Sequence, residues 1–193
     1  MRRHKKIKAQ PGSVARAAPA WQRWWASKGP LFRVGASFIG LIILFSVISL
    51  APFFQNLLAE CVQLDAKLAG KILNGLGQGT HSAGSTVVSS RFAMTVINEC
   101  SASEFVIFLW ASILAFPATL RRKIVGLALG TLAVGFVNLV RLVTLFLVGV
   151  YRPHFFTPAH EELWPGLFVI AVIFFVIGWV SWATRREQSH AAA

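Results

Sequence analysis

"IVGLALGTLAVGFVNLVRLVTLFLVGV", Ile124 to Val150, is an apolar run with a single charged residue, Arg141. It is longer than the roughly 18 to 20 apolar residues that cross a bilayer, so it is read as a transmembrane helix. Val34 to Phe54 and Leu163 to Ala183 meet the same length. Phe105 to Leu120 is shorter and spans once Ser101 to Ser103 are added. A chain of 193 residues with 55% hydrophobic and 13% charged content is wrong for a soluble domain. The expected fold is an all-α integral membrane protein with about four transmembrane helices, near 34–54, 101–120, 124–150 and 163–183. No small-residue cleavage site follows the first of them, which is read as a retained helix rather than a signal peptide.

The net charge of +12 invites a nucleic-acid reading, but the placement of the charge explains it otherwise. Nine Lys and Arg precede Val34, three stand at Arg121, Arg122 and Lys123, and two at Arg185 and Arg186. The opposite loops hold only Lys67, Lys71, Arg91 and Arg152, with six of the seven acids. This is the positive-inside pattern for four spans with both termini cytoplasmic, and no nucleic-acid partner is needed. Residues 1–33 then form a basic cytoplasmic tail, without periodicity over its first twenty residues and ending in the "WQRWW" cluster, Trp21 to Trp25. Indole rings at the headgroup level make that cluster an interfacial anchor. Residues 34–183 form the membrane domain and 184–193 a second cytoplasmic tail.

Between the first two spans lies an external segment. Glu60, Gln63, Lys67, Lys71 and Asn74 share one helical face, flanked by an apolar face of Leu57, Leu58, Cys61, Leu64, Leu68, Ile72 and Leu76. That pattern describes an amphipathic helix on or in the outer membrane surface. Asp65 interrupts the apolar face, and the simple reading pairs it with a neighbouring cation. "GLGQGTHSAGSTVV" lacks the Lys-Ser/Thr of a phosphate loop and reads as a flexible turn. β-Branched residues from Thr86 to Ile97 indicate one or two short strands leading to Cys100.

Topology selects few reactive groups on the outer side. Cys100 falls where the second span begins, and helix N-termini favour negative charge on a thiol. His160 falls at the outer start of the fourth span. Arg141 sits about ten residues from the outer end of its helix, roughly 15 Å, near the bilayer midplane. A lipid-facing cation there costs at least about 2.5 kcal/mol, so it should face a polar interior. Asn138 lies three residues earlier on the same face. A cysteine, a histidine and an arginine converging on one cavity would support acyl transfer through a thioester.

Three short stretches in this order resemble the signatures of the exosortase/archaeosortase family: "NECSA" (Asn98 to Ala102), "NLVR" (Asn138 to Arg141) and the histidine of "PAHEELWPG". The likeness covers about Thr86 to Gly178. It implies a membrane-embedded cysteine transpeptidase in which Cys100 is the nucleophile and Arg141 and His160 are essential. It further implies protein substrates carrying a C-terminal signal made of a short motif, a membrane helix and a basic cluster. These would be cleaved at the outer face of a bacterial inner membrane, facing the periplasm, and passed to a lipid or polysaccharide acceptor, with no cofactor and no metal. The short length is similar to the compact exosortase H type, whose targets carry an IPTL-like motif. Ala102 departs from the Gly that many relatives have there, and four spans are fewer than the eight of longer members.

Three other readings compete. A membrane thiol-disulfide oxidoreductase would use Cys61 with Cys100, but there is no C-x-x-C pair. A metallopeptidase would use His154, His160 and Glu161 or Glu162, but no H-E-x-x-H spacing exists. A non-enzymatic assembly factor would need none of these groups.

Overall fold

The structure, a computed structural model, describes residues 20–191, with side chains described from Lys28 to Arg185 apart from Pro30 and Glu99. The expected basic tail over 1–19, the indole anchor at Trp21 to Trp25 and the side chains beyond Arg185 lie outside what is described. Residues 1–33 form one unit, of which 20–33 are helical, and residues 34–193 form the other.

Helix α1, Ala20–Ser49, ends before the predicted boundary: Leu50 and Ala51 turn the chain, and Pro52 opens α2, Pro52–Gly75. Proline fits there because the first helical turn needs no donor at that position. Phe53 and Phe54, read as the end of the first span, therefore belong to α2. From Val34 to Ser49 no residue of α1 is buried. Its described ring contacts with the bundle include two edge-on pairs, Phe38 with Phe108 at 5.3 Å and Phe45 with Trp110 at 5.9 Å.

Helix α2 has three faces where two were expected. The one packed against the protein is a stripe of small residues, Val62, Ala66, Ala69, Gly70 and Leu73. The leucine-rich face singled out from the sequence stays exposed, with Leu64 and Leu76 both at 56%. Small side chains let the sheet approach closely: a Cβ on Gly70 would touch Ser82 and Val87. That sheet is an antiparallel meander of β1 (His81–Ala83), β2 (Thr86–Val88) and β3 (Ala93–Thr95). Val87 pairs with Met94, and both are buried. The glycine-rich segment thus supplies an extra strand, made possible by positive φ at Gly77, Gly79 and Gly84.

The membrane-grade helices follow. Helix α3, Ser103–Ala115, is apolar but 13 residues long, shorter than the predicted 101–120 span. Ala102 breaks it at one end, and extended Phe116 ahead of Pro117 stops it at the other, as a residue before proline resists the helical region. Helix α4, Leu120–Tyr151, has 32 residues. A 3₁₀ turn (Pro153–Phe155), one α turn (Phe156–Pro158) and a π turn (Ala159–Leu163) lead without a break into α5, Trp164–Ala191. By length and composition, three helices can cross a membrane: those holding 31–49, 120–151 and 153–185.

Close approach fixes α3, α4 and α5 to one another. Gly126 lies under the Trp179 indole and Gly130 under Leu109 and Phe175, so small residues on α4 let large ones on its neighbours come in. Near the basic end, Trp179 Nε1 donates to the Arg122 carbonyl (3.1 Å) and Lys123 Nζ to the Leu114 carbonyl (2.6 Å). Two apolar cores result. One joins α2, the sheet and the Leu142 to Phe146 part of α4, and it includes Cys100. The other joins α3, α5 and the earlier part of α4, and it includes Ala102.

Candidate active site

Cys100 closes a 3₁₀ turn, Asn98–Cys100, between the sheet and α3. Its amide donates to the Ile97 carbonyl (2.8 Å), and the Ser101 hydroxyl donates to the Asn98 carbonyl (2.6 Å). Ala102 then takes φ 56°, ψ 17°, a left-handed conformation, before α3 starts at Ser103. The expected junction, a cysteine in the first turn of a membrane helix, is therefore a tight turn followed by a reversal. The turn keeps the thiol buried, at 6% exposure.

His160 sits in the π turn, whose extra residue widens the helix and changes where its side chains point. Its Nε2 lies 3.3 Å from the Cys100 sulfur, and its ring stacks on Phe156 at 6.0 Å and 17°. Arg141 comes from α4, is 3% exposed, and holds its guanidinium over the Phe168 ring at 5.7 Å. Its charge acts on both Cys100 and His160. The three residues singled out from the sequence thus gather at one place, where the two cores meet.

Asn138 is fully buried one turn before Arg141. Its Nδ2 donates to Asp65 Oδ2 at 2.9 Å, so the partner of Asp65 is this amide and not the cation expected from the sequence. Burial pushes the Asp65 carboxyl above its usual range, and the Asn138 bond holds it back in part. The sequence marked Asp65 only as a break in an apolar face; its place between the leucine face and the small-residue face was the signal of a function in packing against α4. Phe156 and Phe168, which flank the imidazole and guanidinium, carried no signal among so many phenylalanines.

Cys61 is exposed on α2, where it lines the cavity beside the site, and both cysteines are free. Partial burial, with the carboxylates of Asp65 and Glu60, pushes its thiol up, away from the reactive thiolate form. Among the described residues no group of three His, Cys, Asp or Glu could hold a metal. His154, the other histidine of the metallopeptidase reading, is exposed and lies against Phe155. Next to the site a cavity of about 380 Å³ runs between α1, α2, α3 and α4, mostly apolar, with Asp65, Ser101 and Ser103 among its lining.

A thiol touching a ring nitrogen, with a fixed cation beside both, can attack a carbonyl and stabilise the charge that develops there. Three apolar helices and this cluster define a helical membrane protein with a cysteine-centred site. The chain belongs to the transmembrane exosortase family, whose model (Exosortase_EpsH) matches residues 23–179. No curated protein and no solved structure matches it.

Proposed function

We propose that the protein is a membrane cysteine transpeptidase that cleaves C-terminal sorting signals of exported proteins through a thioester on Cys100. The observation that carries this reading is the 3.3 Å contact of Cys100 Sγ with His160 Nε2 beside the Arg141 guanidinium. In the first half-reaction the thiol proton passes to His160 and the sulfur adds to the scissile carbonyl carbon. As the tetrahedral adduct collapses, the C–N bond breaks, and His160 gives its proton to the departing amine. An acceptor hydroxyl or amine then attacks the thioester, losing its proton to His160, and the thiol is restored. Arg141 binds the carbonyl oxygen or orients the peptide, and Phe168 beneath it holds the guanidinium in place.

Depth in the membrane follows from α4. With Arg121 to Lys123 at the cytoplasmic surface of a bacterial inner membrane, a hydrocarbon core about 30 Å thick ends near residue 140. Arg141, Cys100 and His160 then stand at the outer boundary, not at the midplane as counting from the end of the apolar run implied. The core of α2, sheet and outer α4 forms a cap beyond it.

The test is capture of a thioester on Cys100 with a membrane-anchored candidate substrate, trapped at low pH and read by intact mass, with Cys100→Ala in parallel. The expected result is an adduct on the native chain, released by hydroxylamine and missing from the variant. Processing that is unchanged in Cys100→Ala would overturn the reading.

A further inference from the structure

Among the described residues two buried side-chain polar atoms have no partner: Asn138 Oδ1, an acceptor, and Arg141 Nε, a donor. Both side chains are more than nine-tenths buried, at 0% and 3% exposure, and leaving such groups unmet costs about 1 to 3 kcal/mol each. They stand three residues apart on one face of α4. The same face runs back along the helix as Thr131, Val134 and Gly135, which line the 380 Å³ cavity. The lining reaches Asp65, which holds the Asn138 amide, and Ser101, next to Cys100; Asn138 and Arg141 lie behind it, about one and two turns further along α4 from Val134.

The occupant is constrained by chemistry: a helix satisfies its own backbone N–H and C=O groups, so only an extended chain leaves them free to offer. A lipid chain fits the apolar part but brings nothing for Oδ1 and Nε–H. A peptide unit brings both complements, an N–H for the acceptor and a C=O for the donor.

Asp65 decides which face of the Asn138 amide is offered. By accepting from Nδ2 it leaves Oδ1 as the free end; without it, the amide turns without penalty and offers N–H groups instead. We propose that Asn138 and Arg141 form a backbone-recognition site for an extended segment of the substrate next to its scissile bond, and that Asp65 is the positioning residue that keeps Asn138 an acceptor. This rests on the transpeptidase reading above and adds to it the form in which substrate is held.

The experiment uses full-length enzyme in liposomes and a semisynthetic membrane-anchored substrate. Each amide near the cleaved bond is replaced in turn by an ester, which removes one N–H donor and weakens the carbonyl acceptor of the same unit. One ester position should raise KM about fivefold to tenfold for the native enzyme, the size of one lost hydrogen bond. At that position Asn138→Ala should show no further loss. Asp65→Ala should match Asn138→Ala, the double variant should be no worse than either, and Asp65→Asn, which keeps an acceptor, should recover most of the loss. A flat ester profile on native enzyme overturns the proposal, because the two atoms then hold a buried water or face a lipid chain. Additive penalties for Asp65→Ala and Asn138→Ala overturn the positioning role. The native ester profile needs no variant to fold, and Cys100→Ala separates the two readings: a dead Cys100→Ala with a flat profile sinks only the recognition site.

Discussion

At Ala102 a residue with a Cβ occupies left-handed space, which for an alanine costs roughly 1 kcal/mol relative to glycine. From the sequence, the Ala in place of the relatives' Gly looked like a small change in local freedom; the structure gives it a cause, since this is the reversal that separates the thiol's turn from α3. Ala102→Gly should raise the melting temperature slightly in detergent and retain thioester formation. Ala102→Val, β-branched at positive φ and 4% exposed, should cost about 2 kcal/mol or more and lose labelling of Cys100. Asp65 gives a second prediction. Because burial holds its folded pKa above the unfolded value of about 3.9, the native state binds the extra proton between them. Stability of the native protein therefore falls as pH rises through that window and is level above it. Asn does not titrate, so Asp65→Asn should gain in melting temperature relative to the native chain across that window, and a gap that stays constant with pH would sink the assignment.

At the scale of elements, the reading of α2 shows what periodicity can and cannot deliver. It gave the helix and its polar face, but of two remaining apolar faces it favoured the one with more leucine. The chain buries the other, because Ala66, Ala69 and Gly70 let the sheet and α4 come close, and close contact outweighs side-chain size when a wet or lipid surface can take the leucines. The same logic governs α4. Gly126→Ala would put a methyl into the Trp179 indole and displace its bond to Arg122, for a loss of about 1 to 3 kcal/mol measured by thermal unfolding in detergent. Gly178→Ala, with open space around it on α5, should be neutral or slightly stabilising. The strands were legible from β-branched residues, except for β1, whose residues His81 to Ala83 carry no strand propensity and pair only because the glycine turns return them to β2.

Over the whole molecule, the class was legible in the long apolar runs, and the candidate site was legible because the expected topology leaves Cys100, Arg141 and His160 as the reactive groups on one side. Their contact was not legible. It depends on a π turn and a left-handed alanine, and neither has a sequence pattern of its own. Nor was it visible that the Leu142 to Phe146 part of α4, as apolar as a span, packs in a protein core with α2 and the sheet. The proposed placement of the cap outside the membrane predicts that Ser90→Cys, beside the sheet, reacts with an impermeant maleimide in intact spheroplasts. Thr119→Cys, at the basic end, should react only after permeabilisation, and the reverse pattern would refute the orientation.

Helix α4 is also a ruler. It links the basic end at Arg121 to Lys123 to the Arg141 level in one uninterrupted rod of about 30 Å. On the proposed function, a substrate anchored by its own membrane helix and a basic cluster would be measured against that rod, its cations fixing one end at the cytoplasmic surface and the thiol standing at a set height. Adding one turn to the substrate helix lifts the scissile bond by about 5 Å, more than a bond-forming approach tolerates, unless the helix tilts to absorb it. Selection by anchor length would then operate alongside any motif, and a series of substrates lengthened residue by residue should show a cleavage optimum rather than a plateau.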